Sequence, residues 1–154
     1  MHLRIICPGK AKQKFIGDGI AEYIKRLSPF CKIELIETAD VKLSNSNNIE
    51  IVKQKEAEII AKYLKPDNYL VVLDENGKQF SSKEFAGFID TYRGIRNVDF
   101  LIGGVYGLAD NLLAKADQLL SFSKMTFTHR MIRLLLVEQV YRSFCILNGK
   151  KYHY

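Results

Sequence analysis

Gly103, Gly104 and Gly107 follow directly on the apolar run Phe100-Leu-Ile102, and this junction constrains the fold more than any other stretch of the chain. An apolar run that stops at paired glycines predicts a buried strand ending in a tight turn, where missing Cβ atoms let the backbone approach a ligand or another strand. Leu119 to Phe122 predicts a second such strand. Its polar continuation, Ser123-Lys-Met-Thr126, leads into an apolar helix from about Met131 to Leu147. Two strand ends and one helix start therefore converge. The glycine spacing is not the G-x-G-x-x-G of dinucleotide-binding folds, and no acidic residue follows at the end of a next strand to hold a ribose. Taken alone, the three glycines fit a ligand-binding turn and an ordinary strand-to-helix turn equally well.

Upstream, strands and helices alternate. Leu3 to Cys7 predicts a strand closed by Pro8-Gly9, and Phe15, Ile16, Ile20, Tyr23, Ile24 and Leu27 recur at helical spacing before the stop at Pro29. Ile33 to Ile36 predicts a second strand. The polar loop Ser44 to Asn48 precedes a helix carrying Ile51, Val52, Ile59, Ile60 and Tyr63, which Pro66-Asp67-Asn68 ends. Tyr69 to Leu73 is the most strand-like run, and Asp74 to Lys78 reads as a turn after it. Ser81 and Glu84 have the spacing of a capping box, opening a helix with Phe85, Phe88, Ile89 and Tyr92 on its inner face. Val98 to Ile102 and Leu119 to Phe122 complete the strands, with a short helix around Asn111 to Lys115 between them. This alternation predicts an α/β fold, a mostly parallel sheet with helices on both faces. With no repeat or linker, residues 1–154 read as a single domain.

A chain of 154 residues, 47% apolar and 26% charged, can bury a sizeable core and does not have a disordered composition. Its formal charge of +6 and pI of about 9.2 point to an anionic partner, most simply nucleic acid, or equally to a lysine surplus that only keeps the surface soluble. Lys10, Lys12, Lys14 and Lys124 are the leading candidates for phosphate contacts. Cys7, Cys31 and Cys145 lack C-x-x-C spacing and sit in or beside apolar runs, so neither a metal site nor a disulfide framework is expected. Pro8, Gly9 and Lys10 interrupt the first apolar run at once. No signal peptide or membrane span is expected, and the protein is expected in the cytoplasm.

Leu101-Ile-Gly-Gly-x-x-Gly-Leu108, Leu120-Ser-Phe-Ser-Lys-Met-Thr-Phe127, His129, Glu138-Gln-Val-Tyr-Arg-x-Phe144 and Tyr152-His153 occur in this order. Together they resemble the RlmH family, SPOUT-class methyltransferases that modify N3 of a pseudouridine in large-subunit ribosomal RNA. The similarity spans essentially the whole chain as one SPOUT methyltransferase domain. It implies a C-terminal trefoil knot, one of the rare exceptions to unknotted connections. It also implies S-adenosyl-L-methionine as cofactor, held by Leu73, Gly103 and the segment Phe122, Ser123, Lys124, Met125, Thr126 and Phe127. The implied partners are ribosomal RNA, in the assembled ribosome, and a second copy of the chain in a homodimer whose active site is completed across the interface. No metal and no membrane are implied.

The methyl group of such a cofactor is already activated on a sulfonium, so the protein's task is to position the acceptor nitrogen and remove its proton. By resemblance, Tyr152 and His153 are the catalytic candidates for holding the base or helping that proton leave. His129, Arg142 and Lys124 are substrate-binding candidates; otherwise His129 is a helix-start residue and Arg142 only pairs with Glu138 at i,i+4. The dimer is also expected from the last helix, because Leu134, Leu135, Val137 and Tyr141 exposed together would form a large apolar patch.

Three positions depart from the family pattern. Tyr154 stands where a basic residue usually follows Tyr152-His153, so a phosphate contact there would fall to Lys150 or Lys151. The α-carboxylate of Tyr154 would favour a protonated His153, an electrostatic partner of the base rather than a proton acceptor. Thr128 replaces a common proline, and Val105-Tyr106 replace a more polar pair, placing a ring where it can stack on a base. The competing reading is a catalytically silent RNA-binding module of the same fold. Intact Gly103, the segment from Phe122 to Phe127 and Tyr152-His153 argue against it.

Overall fold

The computed structural model describes residues 1–46 and 48–152. Five strands, β1 (His2–Pro8), β2 (Lys32–Thr38), β3 (Tyr69–Gln79), β4 (Val98–Ile102) and β5 (Gln118–Ser121), form one sheet in the order β2-β1-β4-β3-β5. Every pairing is parallel. Parallel neighbours need crossovers, supplied by α1 (Lys14–Leu27), α2 (Ile49–Ala61), α3 (Ser82–Tyr92) and α4 (Asp110–Leu113), with α5 (Met131–Leu147) last. Alternate strand residues go to opposite faces. Leu3, Ile5, Val71, Phe100 and Leu120 pack with α1, α3 and α5, whereas Ile6, Val72 and Leu101 pack with α2 and α4. The sheet is thus covered on both faces, as the alternation predicts.

Local signals set the helix starts. Ser81 Oγ accepts from Glu84 N at 3.2 Å and the Glu84 carboxylate accepts from Ser81 N at 2.7 Å, the reciprocal bonds of the expected capping box. Asn48 Oδ1 accepts from Ile51 N at 2.9 Å and caps α2. Inward faces differ from the sequence reading in three places. Phe15 is 62% exposed, because α1 turns Ile16, Ile20 and Leu27 inward instead. Ile51 is exposed on α2, and Tyr63 lies beyond that helix, also exposed. Val137 is fully buried in the chain's own core beside Leu136, Val140 and Phe144, and Leu134, Leu135 and Tyr141 are half-buried, so the four do not form an exposed patch.

The Asp74 to Lys78 segment is not a simple turn but part of β3. Leu73 and Lys78 both pair with Leu120, so the residues between them bulge out of the ladder. Asp, Asn and Gly favour a turn and a bulge alike, which is why sequence alone does not separate them. Gly77 lies in the bulge, and a Cβ there would sit 2.6 Å from both Leu120 N and Leu120 C. Only glycine lets β3 and β5 come this close.

Arg4 and Asp99 face each other across β1 and β4 and form a buried ion pair. Arg4 Nε donates to Asp99 Oδ1 at 2.8 Å, Asn68 Nδ2 donates to the same oxygen at 2.7 Å, and Arg4 Nη2 donates to the Tyr63 carbonyl at 2.8 Å. Such a pair adds little net stability over an apolar one, but a register slip would leave two charges buried and unmatched. It therefore pins the register of the strands that lead to the glycine turn.

Candidate active site

The bulge of β3 and the carboxyl ends of β4 and β5 open on a cleft of about 710 Å³, close to where parallel sheets take ligands. Leu73, Gly103, Phe122, Ser123, Met125, Thr126, Phe127 and His129 all line it. Most of the residues expected to serve a common site therefore meet in one place. Lys124 is exposed and does not line the cleft, and neither Arg142 nor Tyr152 does. His153, with Tyr154, lies outside the described residues.

The glycine turn forms one wall. Gly107, at φ +79, donates its N–H to the Gly104 carbonyl at 3.2 Å, and a Cβ on Gly103 would lie 3.0 Å from the Gly107 carbonyl carbon. Behind the turn sits Glu56, only 6% exposed, whose Oε1 accepts from Val41 N at 3.2 Å. A Cβ on Gly104 would lie 2.7 Å from Glu56 Oε2, so the carboxylate packs directly on the turn. Burial pushes the Glu56 carboxyl above its ordinary value, against the opposing effect of the Val41 bond and with a small contribution from Asp40.

That shift has a sign. An acid whose pKa is raised on folding holds its proton more tightly in the folded chain, so its contribution is complete below the ordinary value of 4.5 and is lost as pH rises through the raised value. Glu56→Gln keeps an acceptor for Val41 N and removes the titration. Chemical denaturation between about pH 4 and about pH 8 should show a shallower decline for the variant than for the parent. Identical slopes would refute this role of burial at Glu56.

The segment after β5 forms the other wall. Ser121 Oγ donates to the Ser123 carbonyl at 3.0 Å, and Ser123 Oγ accepts from Met125 N at 3.0 Å, which curls the chain over the cleft. Thr128 Oγ1 accepts from Met131 N at 3.2 Å and so caps the first turn of α5, a bond proline has no side-chain group to make. Fully buried Arg133 ties this wall to the end of β1. Its Nη2 donates to the Pro8 carbonyl at 2.7 Å, Nη1 to the Gly9 carbonyl at 2.8 Å and to Glu37 at 3.2 Å, and Nε to the His129 carbonyl at 3.0 Å.

His129 carries the titratable imidazole of the cleft. Burial, Arg133 and Arg130 lower its pKa from the ordinary 6.5, against a smaller opposing effect of Asp40, so it is neutral at neutral pH. Tyr152 belongs to a separate cluster. Its hydroxyl lies 3.1 Å from that of Tyr23 and donates to Glu138 at 3.4 Å, while its ring meets Tyr141 edge-on at 4.9 Å. Burial and the Tyr23 bond push its phenol above the ordinary range, so it is protonated at neutral pH. Arg142 is held by Glu138 through bonds of 2.6 and 3.0 Å, the i,i+4 pair expected from the spacing, with its guanidinium over the Tyr152 ring. Burial raises the Cys7 and Cys31 thiols to about 12 and about 11, so both pack as protonated small hydrophobes.

Sequence reasoning missed Gln13, Asp74, Glu75 and Arg130, which also line the cleft. Asp74 and Glu75 directly follow Leu73, where the apolar run ends, so their place beside an expected site residue was a usable signal. Arg130 directly follows His129, an expected site residue, whereas Gln13 reaches the cleft through tertiary packing, which leaves no local trace. Among the described residues, no helix is long and apolar enough to cross a membrane.

Residues 1–153 match a family model described as "Predicted SPOUT methyltransferase". A Clostridium acetobutylicum protein described as ribosomal RNA large subunit methyltransferase H is 44% identical over 158 residues, covering 99% of each chain. A Clostridium beijerinckii protein of the same description is 41% identical with the same coverage. Among solved structures, a probable methylase family protein from Haemophilus influenzae aligns with a TM-score of 0.60 at 17% identity, over 99% of this chain and 70% of its own. A probable methyltransferase from Bordetella pertussis gives a TM-score of 0.57 at 12% identity, over 92% of this chain and 93% of its own. At such identities the solved structures speak to the fold alone, and they agree with the five-stranded α/β sheet. The full-length family match and relatives above 40% identity add what fold cannot: this chain belongs to the SPOUT methyltransferase family.

Proposed function

We propose that the protein transfers a methyl group from S-adenosyl-L-methionine to N3 of a pseudouridine in large-subunit ribosomal RNA. The convergence of Leu73, Gly103 and the segment after β5 on one cleft carries this reading, and the names of the Clostridium relatives, ribosomal RNA large subunit methyltransferase H, support the RNA. The residues fit the cofactor. The cleft is within the about 300–1,000 Å³ of small-molecule sites, and Leu73, Ile102 and Leu120 give it an apolar floor beside glycine backbone. Asp74 and Glu75 at the same mouth suit a cationic ligand. When bound, the cofactor supplies a methyl group on a cationic sulfur, which keeps the bonding electron pair as the carbon joins N3 and is left as a neutral thioether.

His129 accepts the N3 proton, because its imidazole lines the cleft and is neutral at neutral pH. Tyr106, at the mouth, stacks on the base. Lys10, Lys12, Lys14 and Lys124 meet phosphates, which makes RNA affinity fall steeply with salt. Tyr152, Glu138 and Arg142 form a surface that does not line this chain's cleft, which supports the tail acting on the cleft of a second copy in a homodimer. The trefoil thread belongs to the same reading. It is supported by the meeting of the glycine turn and the segment after β5 in one cleft.

Calorimetric titration with S-adenosyl-L-methionine tests the reading, and saturable one-site binding is the expected result. RNA binding without any cofactor binding would leave a silent RNA-binding module instead. His129→Asn should lower turnover about 10²–10⁴-fold with cofactor affinity nearly unchanged. Parent activity should rise with pH through a value below 6.5, set by His129 between Arg130, Arg133 and Asp40. A variant with parental turnover would remove His129 from the chemistry.

A further inference from the structure

Two buried polar atoms on the rim of the cleft have no partner among the described residues: Gln13 Oε1, an acceptor, and Arg130 Nε, a donor. Both residues line the cleft. Each occupies the position just before a helix, Gln13 before α1 and Arg130 before α5, yet neither side chain caps its helix. Their segments are held together by Arg133, which bonds the Pro8 and Gly9 carbonyls on one side and the His129 carbonyl on the other. Buried polar groups are nearly always hydrogen-bonded, so an open acceptor and an open donor on one rim call for a ligand that presents both complements.

The position on the sheet sets Gln13 apart from the cofactor residues. Leu73, Leu120 and Phe122 belong to the β3 and β5 side, whereas Gln13 follows β1, which β4 separates from β3. Gln13 therefore reaches the cleft from the side away from the cofactor residues, whereas Arg130 comes from the segment after β5, beyond Phe127, where Arg133 ties that segment to the end of β1. A phosphate would engage the arginine and leave the glutamine carbonyl unmet. A pyrimidine edge with N–H beside C=O meets both.

Resting on the methyltransferase reading above, we propose that Gln13 and Arg130 form the subsite that reads the N1–H and C2=O edge of the target pseudouridine. Gln13 Oε1 accepts from N1–H, and the Arg130 guanidinium donates to O2. N3–H cannot be the group Gln13 holds, because that proton leaves in the reaction. Uridine has no N1–H, since its N1 carries the sugar, so against uridine the Gln13 carbonyl stays buried and unmet. A site built around a hydrogen bond rejects the analogue that lacks it. Arg130 has a second effect. As N3 loses its proton, negative charge spreads onto the neighbouring O2, where a fixed cation stabilises it.

The test compares methyl transfer to large-subunit ribosomal particles prepared with and without pseudouridylation, for the parent, Gln13→Ala, Arg130→Ala and Arg130→Lys. Cofactor affinity is measured by calorimetry for each. The parent should prefer the pseudouridylated particle. Gln13→Ala should lower kcat/KM about tenfold more on that particle than on the other, so that the preference collapses. Arg130→Ala should lower kcat/KM on both by about tenfold to a hundredfold and move the activity profile to higher pH, and Arg130→Lys should recover part of both effects. Cofactor affinity should stay within about twofold throughout, on the small effects expected away from a binding site.

A preference that survives in Gln13→Ala, or is missing from the parent, overturns the proposal. So does cofactor affinity that falls in step with activity, which would assign the rim to the cofactor's amino-acid end. A parent that neither binds the cofactor nor transfers a methyl group removes the methyltransferase reading and this subsite with it. A parent that does both while the variants behave identically to it removes the subsite alone.

Discussion

Arg133→Met should lower the unfolding free energy by about 3–5 kcal/mol, the cost of breaking a buried charged network from one side. Arg133 is fully buried, and it donates to the carbonyls of Pro8, Gly9 and His129 and to Glu37. Methionine fills much of the same volume but donates nothing, so those carbonyls lose their partner while remaining inside. Arg133→Lys should recover only part of the loss, because one ammonium does not reproduce a planar fork aimed at acceptors on two segments. Urea denaturation reads the effect directly. Since Arg133 joins the end of β1 to the start of α5, turnover should fall further than stability explains at temperatures where the variant is folded. A loss under about 1 kcal/mol would show that the network is not the clamp described here.

Gly77→Ala should destabilise by about 2–4 kcal/mol and weaken binding at the proposed cofactor site in the same variant. A Cβ at this position would overlap the backbone of Leu120, which has no rotamer to move, so β5 itself must shift. Leu120 and Ser121 line the cleft, and the displacement reaches them first. Gly87→Ala is the control. Nothing lies within 4 Å of its added Cβ on α3, so that change should be neutral or stabilising by up to about 1 kcal/mol. Equal midpoints for the two variants in thermal denaturation would contradict the close approach of β3 to β5.

The strand and helix sequence was legible because it rests on local physics. The capping box at Ser81 and Glu84, the apolar runs ending at Leu73 and Ile102, and the buried last helix all declare themselves within a few residues of chain. Leu73, Gly103 and the segment from Phe122 to Phe127 were instead named by the family resemblance, and the fold brings them to one cleft. What was not legible depends on which strands become neighbours. The order β2-β1-β4-β3-β5 places β1 beside β4, and so Arg4 against Asp99 and Glu56 behind Gly104, pairings that no spacing encodes. A charge on the inner stripe of α2, Val52, Glu56, Ile60, was the one local hint of the last. Gly77 is the reverse case. Its neighbourhood reads as a turn, and only the double pairing of Leu120 shows why glycine stands there. Gln13 and Arg130 are ordinary residues before helices until packing turns both onto one cleft.

The most direct measurement is transfer of an isotope-labelled methyl group from S-adenosyl-L-methionine to large-subunit ribosomal particles, followed by digestion of the RNA and mass spectrometry of the nucleosides. The label should appear on N3 of a pseudouridine, in the parent and not in a variant whose cofactor wall is displaced by Gly77→Ala. Label on any other atom or nucleoside, or no label despite saturable cofactor binding, would contradict the assignment of this cleft as a pseudouridine N3-methyltransferase site.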